Sequence, residues 1–192
     1  MKLLLLTSLI FLISCSNLKT KDEVNRIEYI NQLAKKIGVR DLPLTFDLIK
    51  GENSRYEIDK NSLDTLFFPS GSLIGVLPDT SNFYALVSYQ VSDSFYPSIS
   101  TFDKKGYLID RINIGIGNCG GLLILIDSCT DRVVIKKNFE IEADFQVSGE
   151  AENPKTSESI RVCNKITGSG KIHNDGKLEF QKSEIFDCLK KG

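Results

Sequence analysis

A chain of 192 residues with 24 basic and 25 acidic side chains carries a net charge of −1, which gives no global electrostatic footprint for nucleic acid or an anionic membrane, though a local patch stays open. A single histidine excludes the HExxH motif and multi-histidine metal sites. With 41% hydrophobic residues, the chain suits one domain with a substantial core.

Lys2 precedes an apolar run from Leu3 to Ile13, interrupted only by Thr7 and Ser8. A bilayer core needs about 20 residues of helix, so this run is too short to span it and reads as the hydrophobic part of a secretory signal. The stretch Leu12-Ile13-Ser14-Cys15 resembles the lipobox of a bacterial lipoprotein precursor. The competing reading is an ordinary signal cleaved near Ser14. The resemblance implies cleavage before Cys15 and diacylglycerol on its sulfur, with an acylated amine. Each buried CH₂ contributes about 0.8 kcal/mol, so two or three chains would hold the protein on the membrane without a transmembrane helix. Residues 1–14 are then a lipoprotein signal peptide, 15–20 the lipidated cysteine and a short tether, and 21–192 a single β-rich domain. Ser16, where enteric lipoproteins retained at the inner membrane have Asp, implies a lipid-anchored place in the envelope, at the outer membrane.

Thr20 stands three residues before Glu23, the capping-box spacing. Val24, Ile27, Ile30, Leu33 and Ile37 follow at steps of three and four, with Lys35 and Lys36 in the last turn and Gly38 just beyond. This predicts one amphipathic helix, which either packs on the domain or lies on the membrane; the mixed charge of its polar face favours packing.

From Leu42 the apolar period changes to two. Asp59-Lys60-Asn61 marks a turn, Phe83 to Val91 a strand, and Ile99 to Phe102 with Tyr107 to Ile114 a hairpin around Asp103-Lys104-Lys105-Gly106. Leu122 to Ile126 and Arg132 to Ile135 read as two strands separated by a polar turn over 127–131. Phe139, Ile141, Ala143, Phe145 and Val147 alternate with Glu140, Glu142, Asp144 and Gln146, the pattern of a half-buried strand. A polar loop over 149–159 and strands at 160–166, 171–173 and 178–180 complete the chain. The expected architecture is mainly β, an antiparallel β-sandwich or meander with one N-terminal helix.

Cys119, Cys129, Cys163 and Cys188 form the even set that a disulfide framework requires in an exported chain. Three connectivities are open; local pairing, Cys119 with Cys129 and Cys163 with Cys188, keeps each loop short. A zinc site built on the same thiols lacks CxxC spacing, so no metal is expected.

Gly115-Ile116-Gly117-Asn118-Cys119-Gly120 matches GxGxxG, with Glu140 twenty residues on, but the dinucleotide fingerprint also needs a helix starting at its last glycine. A short apolar run follows instead, so a glycine-rich bend is expected and no cofactor. Glu140, Glu142 and Asp144 share a strand face that reads as solvated rather than as a calcium site. His173 precedes a turn, no GxSxG occurs, and no catalytic set emerges. Phe95-Tyr96, between Ser94 and Pro97, are candidate partner-binding aromatics.

The segment from Tyr96 to Gly106, continuing to Asn118-Cys119-Gly120, resembles segments of small uncharacterised lipoproteins of Bacteroidetes-type bacteria. That resemblance implies no activity. The expected function is a lipid-anchored envelope protein whose disulfide-stapled domain binds a protein or glycan partner without catalysis. The alternatives are an inhibitor or immunity lipoprotein acting through a protruding loop, at 115–121 or 149–159, and a carboxylate-based glycan hydrolase.

Overall fold

The computed structural model describes residues 21–47, 56–57, 72–78, 81–91, 95–117, 119, 124–153, 155–183 and 186–187. The signal peptide, Cys15, the Thr20 cap, the turn at 59–61 and Cys188 lie outside these residues. In chain order the elements are α1 (Lys21–Ile37), β1 (Leu44–Asp47), β2 (Tyr56–Glu57), β3 (Ser72–Val76), β4 (Tyr84–Val91), β5 (Phe95–Phe102), β6 (Leu108–Asn113), β7 (Ile124–Ile135), β8 (Glu140–Glu152), β9 (Ser159–Ile172), β10 (Leu178–Lys182) and β11 (Phe186–Asp187).

The strands form two antiparallel sheets, one in the order β2-β3-β4-β5-β6 and one in the order β1-β7-β8-β9-β10, with β11 also paired to β9. The expected β-rich architecture with one N-terminal helix is therefore observed. Period-two alternation drives the two sheets together. Ala85, Val87 and Tyr89 of β4 meet Val133, Ile135, Ile141, Ala143, Phe145 and Val147 of the second sheet in one buried cluster, which Phe46, Ile74, Ile99 and Ile172 complete. The opposite face of β4 is buried as well, because α1 covers it. Ile30 and Leu33 pack on Leu73, Val76, Leu86 and Phe102, so three-to-four spacing meets a second set of alternating apolar residues.

Polar contacts fix the helix in place. The Tyr84 hydroxyl donates to Asn31 Oδ1 at 2.5 Å, and the Arg26 guanidinium lies 5.3 Å from the Tyr107 ring centroid. Gly38, at φ +77°, ends the helix in the left-handed conformation that its lack of a Cβ allows. Of the two readings of this helix, packing on the domain is the one observed.

The predicted hairpin at 103–106 joins β5 to β6, with Gly106 at φ +82°. Three local expectations differ. Residues 127–131 are not a turn but the middle of β7, with a register shift between Ile126 and Ser128. The polarity of Asp127, Ser128 and Thr130 is that of solvent-facing strand residues: Asp127 pairs with Arg161 at 2.8 Å and Ser128 with Ser148 at 2.7 Å. Likewise, β9 runs unbroken through Gly168 and Gly170, which give room to Phe180 of β10. A Cβ on Gly168 would lie 2.5 Å from the Phe180 ring, and one on Gly170 would lie 2.1 Å from the Glu179 carbonyl oxygen. The loop expected over 149–159 shrinks to the connection between Glu152 and Ser159, so it does not protrude from residue 149 onward.

Candidate functional site

Long strands with alternating pattern give the second sheet a polar outer face. Arg132 stands opposite Asp144, which stands opposite Thr167; Val134, Glu142, Ser169 and Gln181 form the next row. Between these rows lies a groove of about 570 Å³, walled by Arg132, Glu142, Asp144, Thr167, Ser169 and Gln181. The central strand supplies the acids and its neighbours the bases. Lys136 reaches Glu142 at 2.6 Å and Glu140 at 3.9 Å, and Lys165 reaches Asp144 at 3.4 Å. The hydrogen bond from Lys136 to Glu142 holds that ammonium above the usual lysine range. Exposed pairs of this kind are screened by solvent and contribute little, so an incoming partner can exchange them readily.

The same geometry decides what the carboxylates can do. Glu142 and Asp144 are alternate residues of one strand, about 7 Å apart on the same side. A glycosidase needs its two carboxyl groups flanking the scissile bond, one of them held protonated. Here both are largely exposed and each is ion-paired with a lysine. Among the described residues no group of three or more His, Cys, Asp or Glu is placed to hold a metal ion.

Cys119 and Cys129 form a disulfide with a Cα–Cα distance of 5.9 Å, as local pairing anticipates. Cys163 is buried and also disulfide-bonded, while Cys188 and Cys15 lie outside the described residues. Of the aromatic pair, Phe95 belongs to β5 and its side chain lies outside the description. Tyr96 is half-buried and packs on Gly115, where a Cβ would meet the ring at 2.6 Å. His173 is exposed at the β9–β10 turn, with Nε2 3.4 Å from Glu179.

Gly115 and Gly117 of the GxGxxG match serve packing. At Gly117 a Cβ would fall 1.9 Å from Cδ2 of Phe145, a core ring with 5% exposure, and the chain is strand again by Ile124. Gly117→Ala is therefore expected to cost about 1–3 kcal/mol in urea unfolding, the usual range for overpacking. Trimming the ring in Phe145→Leu should recover part of that loss in a double-mutant cycle. A glycine needed only by a ligand would show no such coupling.

One residue of chemical interest is missed by sequence reading. Asp131 is 4% exposed, and its Oδ1 has no hydrogen-bond partner among the described residues. Burial first, and the Asp47 carboxylate second, push its acid up to about 6. The available signal was strand parity: Asp131 shares the inward face with Cys129 and Val133 once 124–135 is one strand.

No family model matches the chain, and neither a curated protein nor a solved structure matches it.

Proposed function

We propose that this chain is a lipid-anchored envelope protein whose disulfide-stapled β domain binds a protein or glycan partner, without catalysis, through the outer face of the β1-β7-β8-β9-β10 sheet. The lipobox at Leu12-Ile13-Ser14-Cys15 supports the anchor. The Cys119–Cys129 disulfide agrees with an extracytoplasmic compartment, where such bonds persist. The observation that carries the binding role is the polar groove between Arg132 and Gln181. It lies on the second sheet, whereas the first has its own outer face covered by α1. Hydroxyl, amide, carboxylate and guanidinium groups together fit a partner rich in polar groups of both signs, whose association would weaken with salt.

The test is retention on the immobilised domain, residues 16–192, from envelope extract and from a panel of envelope glycans, beside the variant Asp144→Arg with Ser169→Arg. A partner held by the parent domain, released by salt and lost in the variant supports the reading. Equal retention by both forms would reject the groove. If the retained partner is an enzyme that the domain silences, the binding is that of an inhibitor or immunity lipoprotein. The anchor is tested separately: Cys15→Ala should abolish acyl labelling and membrane fractionation.

A further inference from the structure

From the corner where α1 begins, we infer that the β5–β6 turn, with Tyr107 and Leu108, is a membrane-contacting surface that seats the domain on the leaflet carrying the Cys15 lipid. This rests on the lipid-anchor reading. Five residues, 16–20, lie between that anchor and the start of α1, and the six Cα–Cα steps from Cys15 to Lys21 reach about 20 Å when fully extended. The helix opens at the β6 edge of its sheet. Five residues after Lys21, about 7.5 Å along the axis, Arg26 lies 5.3 Å from the Tyr107 ring centroid. Gly106 touches the Arg26 backbone, where an added Cβ would come within 3.0 Å of its carbonyl oxygen. The turn is thus held at the end of the domain from which the tether departs.

Its chemistry suits a lipid headgroup layer. Tyr107 is 44% exposed and Leu108 51%, beside the exposed lysines Lys104 and Lys105. The turn's one acid, Asp103, is occupied within the turn, accepting from the backbone N–H groups of Lys105 at 2.8 Å and Tyr107 at 2.9 Å. Tyrosine prefers the headgroup level, leucine the acyl boundary, and lysines the phosphates of anionic lipids. The β9–β10 turn packs on the start of β6, with Leu178 N–H donating to Asp110 at 2.9 Å, so the Ile135 end of β7 lies near this corner. Leu125 is ten residues further up that strand, about 33 Å away.

The chain contains no tryptophan, so Tyr107→Trp and Leu125→Trp each introduce a single fluorophore. The full lipidated chain, made in an acylating bacterial host, is reconstituted into vesicles of phosphatidylcholine and phosphatidylglycerol with brominated acyl chains. Emission from Tyr107→Trp should shift to the blue and be quenched several-fold more than that from Leu125→Trp. Adding Lys104→Glu and Lys105→Glu should reduce that quenching. Equal quenching at both positions, in protein that floats with the vesicles, would overturn the membrane contact and leave the anchor standing. Protein that takes no acyl label and does not float would overturn both. Shielding of the Tyr107→Trp fluorophore only when envelope proteins are added would reassign the surface to a protein partner.

Discussion

Asp131→Asn is expected to stabilise the domain by about 3 kcal/mol at about pH 8 and to leave it unchanged at about pH 3. Asp131 is 4% exposed, and burial, helped by the Asp47 carboxylate, raises its acid from the ordinary 3.8 to about 6. An acid with a raised folded pKa binds its proton more tightly in the native state than in the unfolded one. Below 3.8 both states hold the proton and the residue costs nothing. Between 3.8 and about 6 only the unfolded chain releases it, so stability falls as pH rises. Above about 6 the native domain carries a buried, poorly solvated charge, and the full penalty applies. Asparagine removes the charge while keeping the shape. Urea unfolding of both forms across this range should give curves that converge in acid and separate towards neutrality; a constant difference would reject the assignment.

Opening the Cys119–Cys129 bond by the paired change Cys119→Ala and Cys129→Ala should lower stability by about 2.5–3 kcal/mol. The bond closes a loop with a sequence separation of 10, and its main effect is to deny the unfolded chain the freedom of that loop. Both half-cystines also pack against the main core, so reduction loosens contacts that a surface crosslink would not touch. The urea midpoint should fall, and reducing agent, which also opens the bond at Cys163, should lower it in the parent by at least as much. Peptide mapping without reductant is expected to recover Cys119 linked to Cys129 and Cys163 linked to Cys188. Four free thiols in envelope-derived protein would remove the basis of this prediction.

Much of the architecture could be read from periodicity. The helix, β4, β8 and the hairpin around Gly106 are long or sharply punctuated segments in which local pattern and burial agree. The readings that differed share one cause. Asp127, Ser128 and Thr130 look like a turn because turns and the solvent faces of strands use the same residue types. Only the neighbouring strand β8, paired from Ile141 to Ala151 along β7, shows that the run is continuous. Gly168 and Gly170 look like a break for a similar reason, since nothing local reveals that Phe180 fills their space. Of the candidate site, the acids Glu142 and Asp144 and their shared face were visible in the alternation. The groove was not, because Arg132, Thr167 and Gln181 reach it from separate strands and their convergence depends on register.

The pairing of β1 sets an order on how the domain comes together. Among the described residues, every other strand pair joins segments close in sequence, so loop closure costs little and each sheet can grow hairpin by hairpin. The exception is β1, where Leu44 meets Ile135 from about 90 residues away along the chain. In a polypeptide delivered amino end first, β1 emerges early and must wait for β7 before it has an edge to join. Phe46, fully buried and set edge-on to Tyr89 with ring centroids 6.0 Å apart, then spends that interval exposed to water and to any chaperone present. The first strand of its sheet to arrive thus stays unpaired until β7 follows, and its pairing carries Phe46 into the space between the two sheets.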